Sequence, residues 1–352
     1  MRSTIAAALL FVLLPLAGIE LGLRIGVLDR PTNWYDPILT AACADKVDFV
    51  FAGSSRVAAA IHAEAFAREV SQQIGVPVRP LNIGRGYTTL AEHDLVLRSL
   101  YEQCASSMEG ATVFIEAAAG LPDFSTFNDS WVHPDEPWLI VPVIDWQNLV
   151  RMWMASDTPR GNKVDVSMRY SLQAVSYIDW KRRRLLQVGD QVVSRLGARI
   201  TTGGENGAAD LSSAGGILSD RASVERARRL AVELAQTTFK DSPRADWSAT
   251  VLMDVNALAR RHGGRVVVFR MPLSSVQQTP YTTTARLADV EAFRRQAIVA
   301  DIDYLPIEFA TTDEDFPDYW HLRNSRADEF SRRVAVEYRA TERTGLRLAN
   351  VD

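Results

Sequence analysis

The apolar positions along the chain fall into short unbroken runs separated by longer stretches with helical spacing. Val47 to Ala52 is the first run, and it reads as a buried strand. From 56 to 74, Val57, Ile61, Phe66, Val70 and Ile74 recur at the interval of one helix face. A second strand is predicted over about 76–83, a helix over 90–104 and a third strand over 112–117. Further on, helices are predicted over 221–239 and 246–262, and a fourth strand over 265–270, closed by Met271-Pro272. A helix over about 284–299, a fifth strand over 302–306 and a last helix over about 325–338 complete the pattern. Strand and helix alternating at this spacing imply right-handed crossovers and a parallel sheet. The predicted fold is therefore α/β, three-layered, around a five-stranded parallel sheet.

The alternation breaks after the third strand, where about 121–245 reads as a long insertion. This stretch is rich in Trp, Pro, Gly and Ser, and Trp131, Trp138, Trp146, Trp153 and Trp180 fall in its first half. Core packing is the favoured role for these rings, and stacking on sugars is the alternative. Residues 201–220 read as a mobile Gly/Ser/Ala loop. Lys181-Arg-Arg-Arg184 reads as a solvated helix face, with contact to an anionic lipid or polymer as the minority reading.

The N-terminus departs from a globular pattern. Met1-Arg2-Ser3 precedes Thr4 to Ile19, which carries no charge, and a weaker apolar continuation reaches Leu28 past Glu20 and Arg24. A positive start before an apolar run reads as an export signal; an uncleaved signal anchor over 1–28 is the favoured reading and a cleaved peptide the alternative. Residues 29–46, with Pro31, Trp34 and Pro37, then form a membrane-proximal linker, 47–340 the α/β domain and 341–352 a tail. Arg2 on the cytoplasmic side leaves that domain outside, in the periplasm. Cys43 and Cys104, the two cysteines, each lie shortly before a strand. A disulfide and two unpaired thiols are equally open there, and their spacing offers no metal site.

Composition narrows the classes. Hydrophobic residues make up 47% and charged residues 23%, as in ordinary globular chains. A net charge of -4 argues against a nucleic-acid partner.

Chemistry enters where strands end. In a parallel sheet ligands bind beyond the carboxyl ends of the strands. Gly53-Ser54-Ser55 follows the first strand, Gly84 and Gly86 the second, and Asp318-Tyr-Trp-His321 the fifth. A serine nucleophile needs a base within hydrogen-bond reach and a carboxylate to orient that base. Ser55, His321 and Asp318 fit those roles in that order. The oxyanion would meet the N–H of Ser55 and of a glycine after the second strand. Arg56 is a candidate contact for an anionic substrate, or a solvent-facing residue in the first turn of a helix. Glu116 could line the site or cap a helix. His62, His93, His133 and His262 lack metal-type partners at close spacing and read as surface or core histidines. No cofactor is expected.

Taken in order, these segments resemble the SGNH or GDSL-type hydrolases. Gly53-Ser54-Ser55 stands where that family has Gly-Asp-Ser. Asn82-Ile-Gly-Arg-Gly86 is similar to its second segment, with Gly86 the better match to the oxyanion glycine. Asp318-Tyr-Trp-His321 matches its last segment. The third segment departs: the family's Gly-x-Asn-Asp is replaced by Phe114-Ile-Glu-Ala-Ala-Ala-Gly120, and Asn128 is off register. The resemblance covers roughly 47–120 and 250–340 and implies a flavodoxin-like sheet. With the N-terminal apolar run, it points to the extracytoplasmic branch that includes alginate O-acetyltransferase-like and D-alanyl transfer proteins. What this implies is an acyl transferase or esterase acting on O-acyl, chiefly O-acetyl, groups of a carbohydrate or cell-envelope polymer through an acyl-serine. Implied partners are that polymer, the inner membrane and a membrane acyl-donor protein. The alternative is an inactive protein of the same fold that binds glycan or a partner.

Overall fold

The structure is a computed structural model. It describes residues 34–86, 90–117, 140–154, 160–172, 245–275, 301–305 and 307–344, with 16–21, 23, 178, 181, 278 and 299 besides. The helices predicted over 221–239 and 284–299 and the loop over 201–220 lie outside these residues. So do Trp131, Trp138, Trp180, His133, Asn128, Arg182 to Arg184 and most of the N-terminal apolar run. Among the described residues no helix is long and apolar enough to cross a membrane.

Five strands form one all-parallel sheet: β1 (Phe49–Ala52), β2 (Pro80–Asn82), β3 (Thr112–Ala117), β4 (Arg265–Arg270) and β5 (Asp303–Leu305). Their order in space is β2-β1-β3-β4-β5. β1 is buried along its whole length, as expected for a strand covered on both faces. Its period of two divides the core. Val50 and Ala52 join Val113, Ile115, Val266 and Val268 on one face, while Phe49 and Phe51 join Phe114, Val267 and Phe269 on the other.

The aliphatic face is covered by α1 (Tyr35–Ala44), α4 (Leu90–Gln103), α6 (Trp146–Met154) and α8 (Ala245–Arg261). A single turn, α5 (Ala105–Met108), leads from α4 into β3. The aromatic face is covered by α2 (Ser55–Ala60), α3 (Ala63–Ile74) and α9 (Asn324–Thr344). There Phe51 stacks on Phe114 at 4.7 Å between centroids, and Phe66 of α3 meets Phe51 edge-on at 4.9 Å. The chain is thus an α/β fold with helices on both faces of a parallel sheet.

Several elements differ from their sequence-based bounds. The helix expected over 56–74 breaks at Ile61-His62. The break is held from outside, since the hydroxyl of Ser331 on α9 accepts the His62 N–H at 2.8 Å. β2 shrinks to three residues on the sheet edge, where Pro80 is tolerated because one side of the strand needs no donor. The approach over 29–46 contains α1, whose Tyr35 is buried and donates to Ser99 Oγ at 2.8 Å. The last helix runs on to Thr344, into the expected tail.

From the Trp-rich stretch, Ile140, Val143, Ile144, Leu149 and Met152 enter the core. Trp146 and Trp153 do not: they are 66% and 41% exposed. They lie at the margin of the face that buries Leu149 and Met152, and their rings turn outward from it. α7 (Arg160–Ser171) packs beside α6, and the Trp153 indole N–H donates to Ser167 Oγ at 2.7 Å.

Cys43 at the end of α1 and Cys104 after α4 form a disulfide, with Cα atoms 4.9 Å apart. The link closes a loop across 61 residues. Chain entropy for a loop of that size corresponds to about 4 kcal/mol. Replacing both cysteines by serine should therefore lower the urea midpoint clearly and, because the unlinked unfolded chain exposes more surface, raise the unfolding slope. Equal midpoints for the parent and the double variant would contradict this.

Candidate active site

The site begins where β1 ends. Gly53 continues the strand into a turn too crowded for any side chain. A Cβ there would lie 2.3 Å from Val57 Cγ2 and 2.6 Å from Glu116 Oε2. Ser54 follows in an extended conformation and caps α2, its Oγ accepting the Arg56 N–H at 3.2 Å. Ser55 is the first residue of α2. In space β1 lies between β2 and β3, so the chain leaves it to wind first one way and then the other. Crevices form at the carboxyl ends of strands at such a reversal. Ser55 is placed there.

The segment after β2 closes against this turn. Asn82 donates to the carbonyls of Ile61 at 2.8 Å and Val57 at 3.2 Å, and its Oδ1 accepts the Gly84 N–H. Arg85 N–H donates to Gly53 O at 3.0 Å. The two glycines then separate in role. A Cβ on Gly84 would collide with Ala58 N at 2.7 Å and Val57 Cγ1 at 2.8 Å, so its task is close packing. A Cβ on Gly86 would stand 3.6 Å from Ser55 Cβ, an ordinary contact. Gly86 therefore borders the serine itself. Among the described residues, neither the Ser55 nor the Gly86 N–H donates to another backbone or side-chain group.

The third segment arrives from β5. A capping box formed by Thr312 and Asp315 sets a single 3-10 turn, and Phe316 is buried behind it. Asp318 and His321 follow. The Asp318 Oδ1 accepts the backbone N–H groups of Trp320 and His321, and Oδ2 lies 2.6 Å from His321 Nδ1. His321 Nε2 lies 2.7 Å from Ser55 Oγ. Burial alone would raise the Asp318 carboxyl, but the His321 hydrogen bond and charge and the two backbone donors outweigh it. The carboxyl is thus held below its usual value and stays ionised. An ionised Asp318 accepts the hydrogen bond of His321 Nδ1–H, which leaves Nε2 as the acceptor for the Ser55 hydroxyl. This is the alignment in which a base can draw the proton from a serine. Ser55, His321, Asp318 and Gly86 are brought together at one end of the sheet.

Between the acid and the base, Tyr319 adopts φ +65°, a left-handed backbone that a bulky side chain rarely takes. Ser274, buried in the loop after β4, holds it by donating to Tyr319 O at 2.8 Å. Next to it, Ser275 binds Asp313 through both its N–H and its hydroxyl. No pattern in the sequence pointed to Ser274 or Ser275, because their partners lie on another crossover. The fact that both follow a strand at the same sheet edge was the available signal.

Arg56 and Glu116, expected as substrate contacts, are turned inward. Arg56 is 6% exposed and Glu116 fully buried, with Arg56 Nε 2.7 Å from Glu116 Oε1. Glu116 also accepts the Ser54 N–H at 2.6 Å and the Ser54 hydroxyl at 3.1 Å. With its oxygens occupied by interior donors, the pair supports the serine turn from behind. Arg56 does not face solvent because the first turn of α2 lies against the end of β3.

His93 is a core histidine, as its sequence context suggests. Its Nε2 donates to Gly53 O at 3.0 Å, and burial pushes its pKa down to about 4, which keeps the ring neutral. His62 pairs with Asp328, and His262 stacks on Tyr101. No protein-family model matches the chain, and no curated protein matches it.

Two outcomes follow from these buried groups. Arg56→Met leaves a buried carboxylate without its counter-charge and should cost about 3–5 kcal/mol in urea unfolding, with less lost when Glu116→Gln is added. His93 binds its proton near 6.5 when unfolded and near 4 when folded. In that window the unfolded chain holds more protons, so stability is full above 6.5 and falls as the pH drops toward 4. The loss amounts to about 3 kcal/mol for this group, and the pH dependence of the urea midpoint in His93→Gln should lack that component.

Proposed function

We propose that the chain is an extracytoplasmic serine acyltransferase or esterase. It acts on O-acyl groups, chiefly O-acetyl, of a carbohydrate or cell-envelope polymer. The observation that carries this reading is the continuous hydrogen-bond relay from Ser55 through His321 to Asp318, joining residues 266 apart in sequence. Two further features support it. The order and spacing of Gly53-Ser54-Ser55, Gly86 and Asp318-x-x-His321 resemble the SGNH hydrolases. The uncharged run from Thr4 to Ile19 resembles an export signal with a retained anchor.

The chemistry takes two acyl transfers. Ser55 Oγ attacks the acyl carbonyl while His321 Nε2 takes its proton, and Asp318 stabilises the imidazolium. The oxyanion is received by the Ser55 and Gly86 N–H groups, which are free to donate. Collapse breaks the bond to the alcohol oxygen, His321 returns its proton to that oxygen, and the acyl group remains on Ser55. An acceptor hydroxyl or water then attacks the acyl-serine, losing its proton to His321. The second collapse expels Ser55, which recovers that proton. A hydroxyl acceptor makes the protein a transferase, and water makes it an esterase.

In this reading Glu116, near the end of β3, is turned inward and gives nothing to the oxyanion. The Ser55 and Gly86 N–H groups carry the oxyanion. Asp318 and His321 side chains are 40% and 27% exposed, so the relay is reachable by a group borne on a polymer. The long stretch between β3 and β4 would form the insertion of an SGNH-like domain over 47–340.

The test is fluorophosphonate labelling of the full-length chain. The parent should label, Ser55→Ala should not, and His321→Ala and Asp318→Asn should slow labelling on the order of 10³–10⁴-fold. Labelling that survives Ser55→Ala would remove the nucleophile. No labelling of the parent would favour a binding protein of the same fold. Acetyl release compared with acetyl transfer to a glycan then separates esterase from transferase.

A further inference from the structure

The nucleophile turn offers two adjacent hydroxyls, Ser54 and Ser55, to one base. What separates them is Glu116. It lies near the end of β3, paired in register with Phe269 of β4, and is fully buried. A buried carboxylate is a poor device for stability, because desolvation offsets most of the Coulombic gain. Here, however, it is the acceptor that fixes the turn. It takes the Ser54 N–H at 2.6 Å, the Ser54 hydroxyl at 3.1 Å and Arg56 Nε at 2.7 Å. The Ser54 Oγ in turn accepts the Arg56 N–H. The Gly53–Ser54 and Ser55–Arg56 peptide groups, one before and one after the Ser54–Ser55 link, are thereby held to the interior. Ser54 has given its only hydroxyl proton away from the site. Ser55 alone keeps both its N–H and its hydroxyl for the site, and His321 receives the hydroxyl at 2.7 Å.

We propose that Glu116, braced by Arg56, is the positioning residue of the nucleophile turn: it selects Ser55 over Ser54 as the hydroxyl presented to His321 and aims the Ser55 N–H at the oxyanion. The proposal rests on the reading of Ser55 as the nucleophile. It adds that the carboxylate acts through Ser54 and never touches substrate. Gly53 belongs to the same device. Its missing side chain makes room for Glu116 Oε2, which a Cβ would approach to 2.6 Å.

The variant that reads this is Glu116→Gln in the full-length chain. Gln keeps the shape and can still accept the Ser54 N–H, but its amide must oppose the Arg56 guanidinium or leave it. Misplacing a nucleophile by part of an ångström costs about 10–100-fold in rate. With 4-nitrophenyl acetate, kcat should fall by about that factor and KM should change by less than about twofold. The labelled peptide should show fluorophosphonate partly on Ser54, which the parent does not modify. Arg56→Lys, which keeps the charge, should retain more kcat than Arg56→Met.

The double variant Glu116→Gln/Arg56→Met removes the buried charge altogether and guards against a folding artefact. If it is folded by circular dichroism and kcat stays low, positioning is supported. If kcat returns to the parent value, the pair is only structural and the proposal is overturned. Unchanged kcat in Glu116→Gln overturns it equally. Amide hydrogen exchange gives a readout that needs no activity. Exchange at residues 53–56 should quicken in Glu116→Gln while Phe49 to Ala52 stay protected. A parent that does not label, with exchange altered in this way, sinks the Ser55 reading and keeps the turn lock. A labelled parent with unaltered exchange does the reverse.

Discussion

Every carboxyl end in this sheet lies on one edge, and the rest of the structure follows from that constraint. Parallel neighbours cannot be joined by tight hairpins, so each connection must cross back over a face. The crossovers bury both faces, which makes β1 apolar along its length and leaves its end as the place for polar groups. β1 lies between β2 and β3, where the winding reverses. The turn that carries Ser55 therefore opens into a crevice, while the turn that carries His321 reaches it from the far edge strand.

Bringing polar groups to the end of a buried strand raises a second requirement. Each donor and acceptor taken from water must find a partner. Gly53 O is met by Arg85 N–H and His93, Ser54 by Glu116, and Arg56 N–H by Ser54. On the other side of the site, Tyr319 is held in its left-handed turn by Ser274, and Asp318 by two backbone donors. At the serine turn, the Ser55 N–H and hydroxyl are the groups this pairing leaves to the site. Satisfying the interior and presenting the reactive atoms are one arrangement.

Much of this was legible in the residues. The strands over 47–52, 112–117 and 265–270 were clear because unbroken apolar runs are what a doubly covered sheet demands. Ser55, Gly86, Asp318 and His321 could be singled out because each follows a strand, and their residue types complete one another. The roles of Arg56 and Glu116 could not. Their charge suggested substrate, and only the packing of α2 against the end of β3 shows them bound to each other and to Ser54. Trp146 and Trp153 misled for a related reason. Ring size argues for burial, but their places on α6 lie at the margin of the face that buries Leu149 and Met152.

By itself the sequence determined the α/β alternation, the parallel sheet and the short segments that end at one edge. These depend on hydrophobic period and on residues near one another in the chain. The tertiary structure alone decided what joins segments that are distant in sequence. It broke the first long helix at His62 through Ser331, closed Cys43 on Cys104, and gave Gly84 to packing and Gly86 to the site. It also turned the Gly53-Ser54-Ser55 turn from an exposed hydroxyl into one held by a buried carboxylate from the neighbouring strand. The reason is physical: a hydrogen bond depends on direction and fractions of an ångström, and a one-dimensional pattern carries neither.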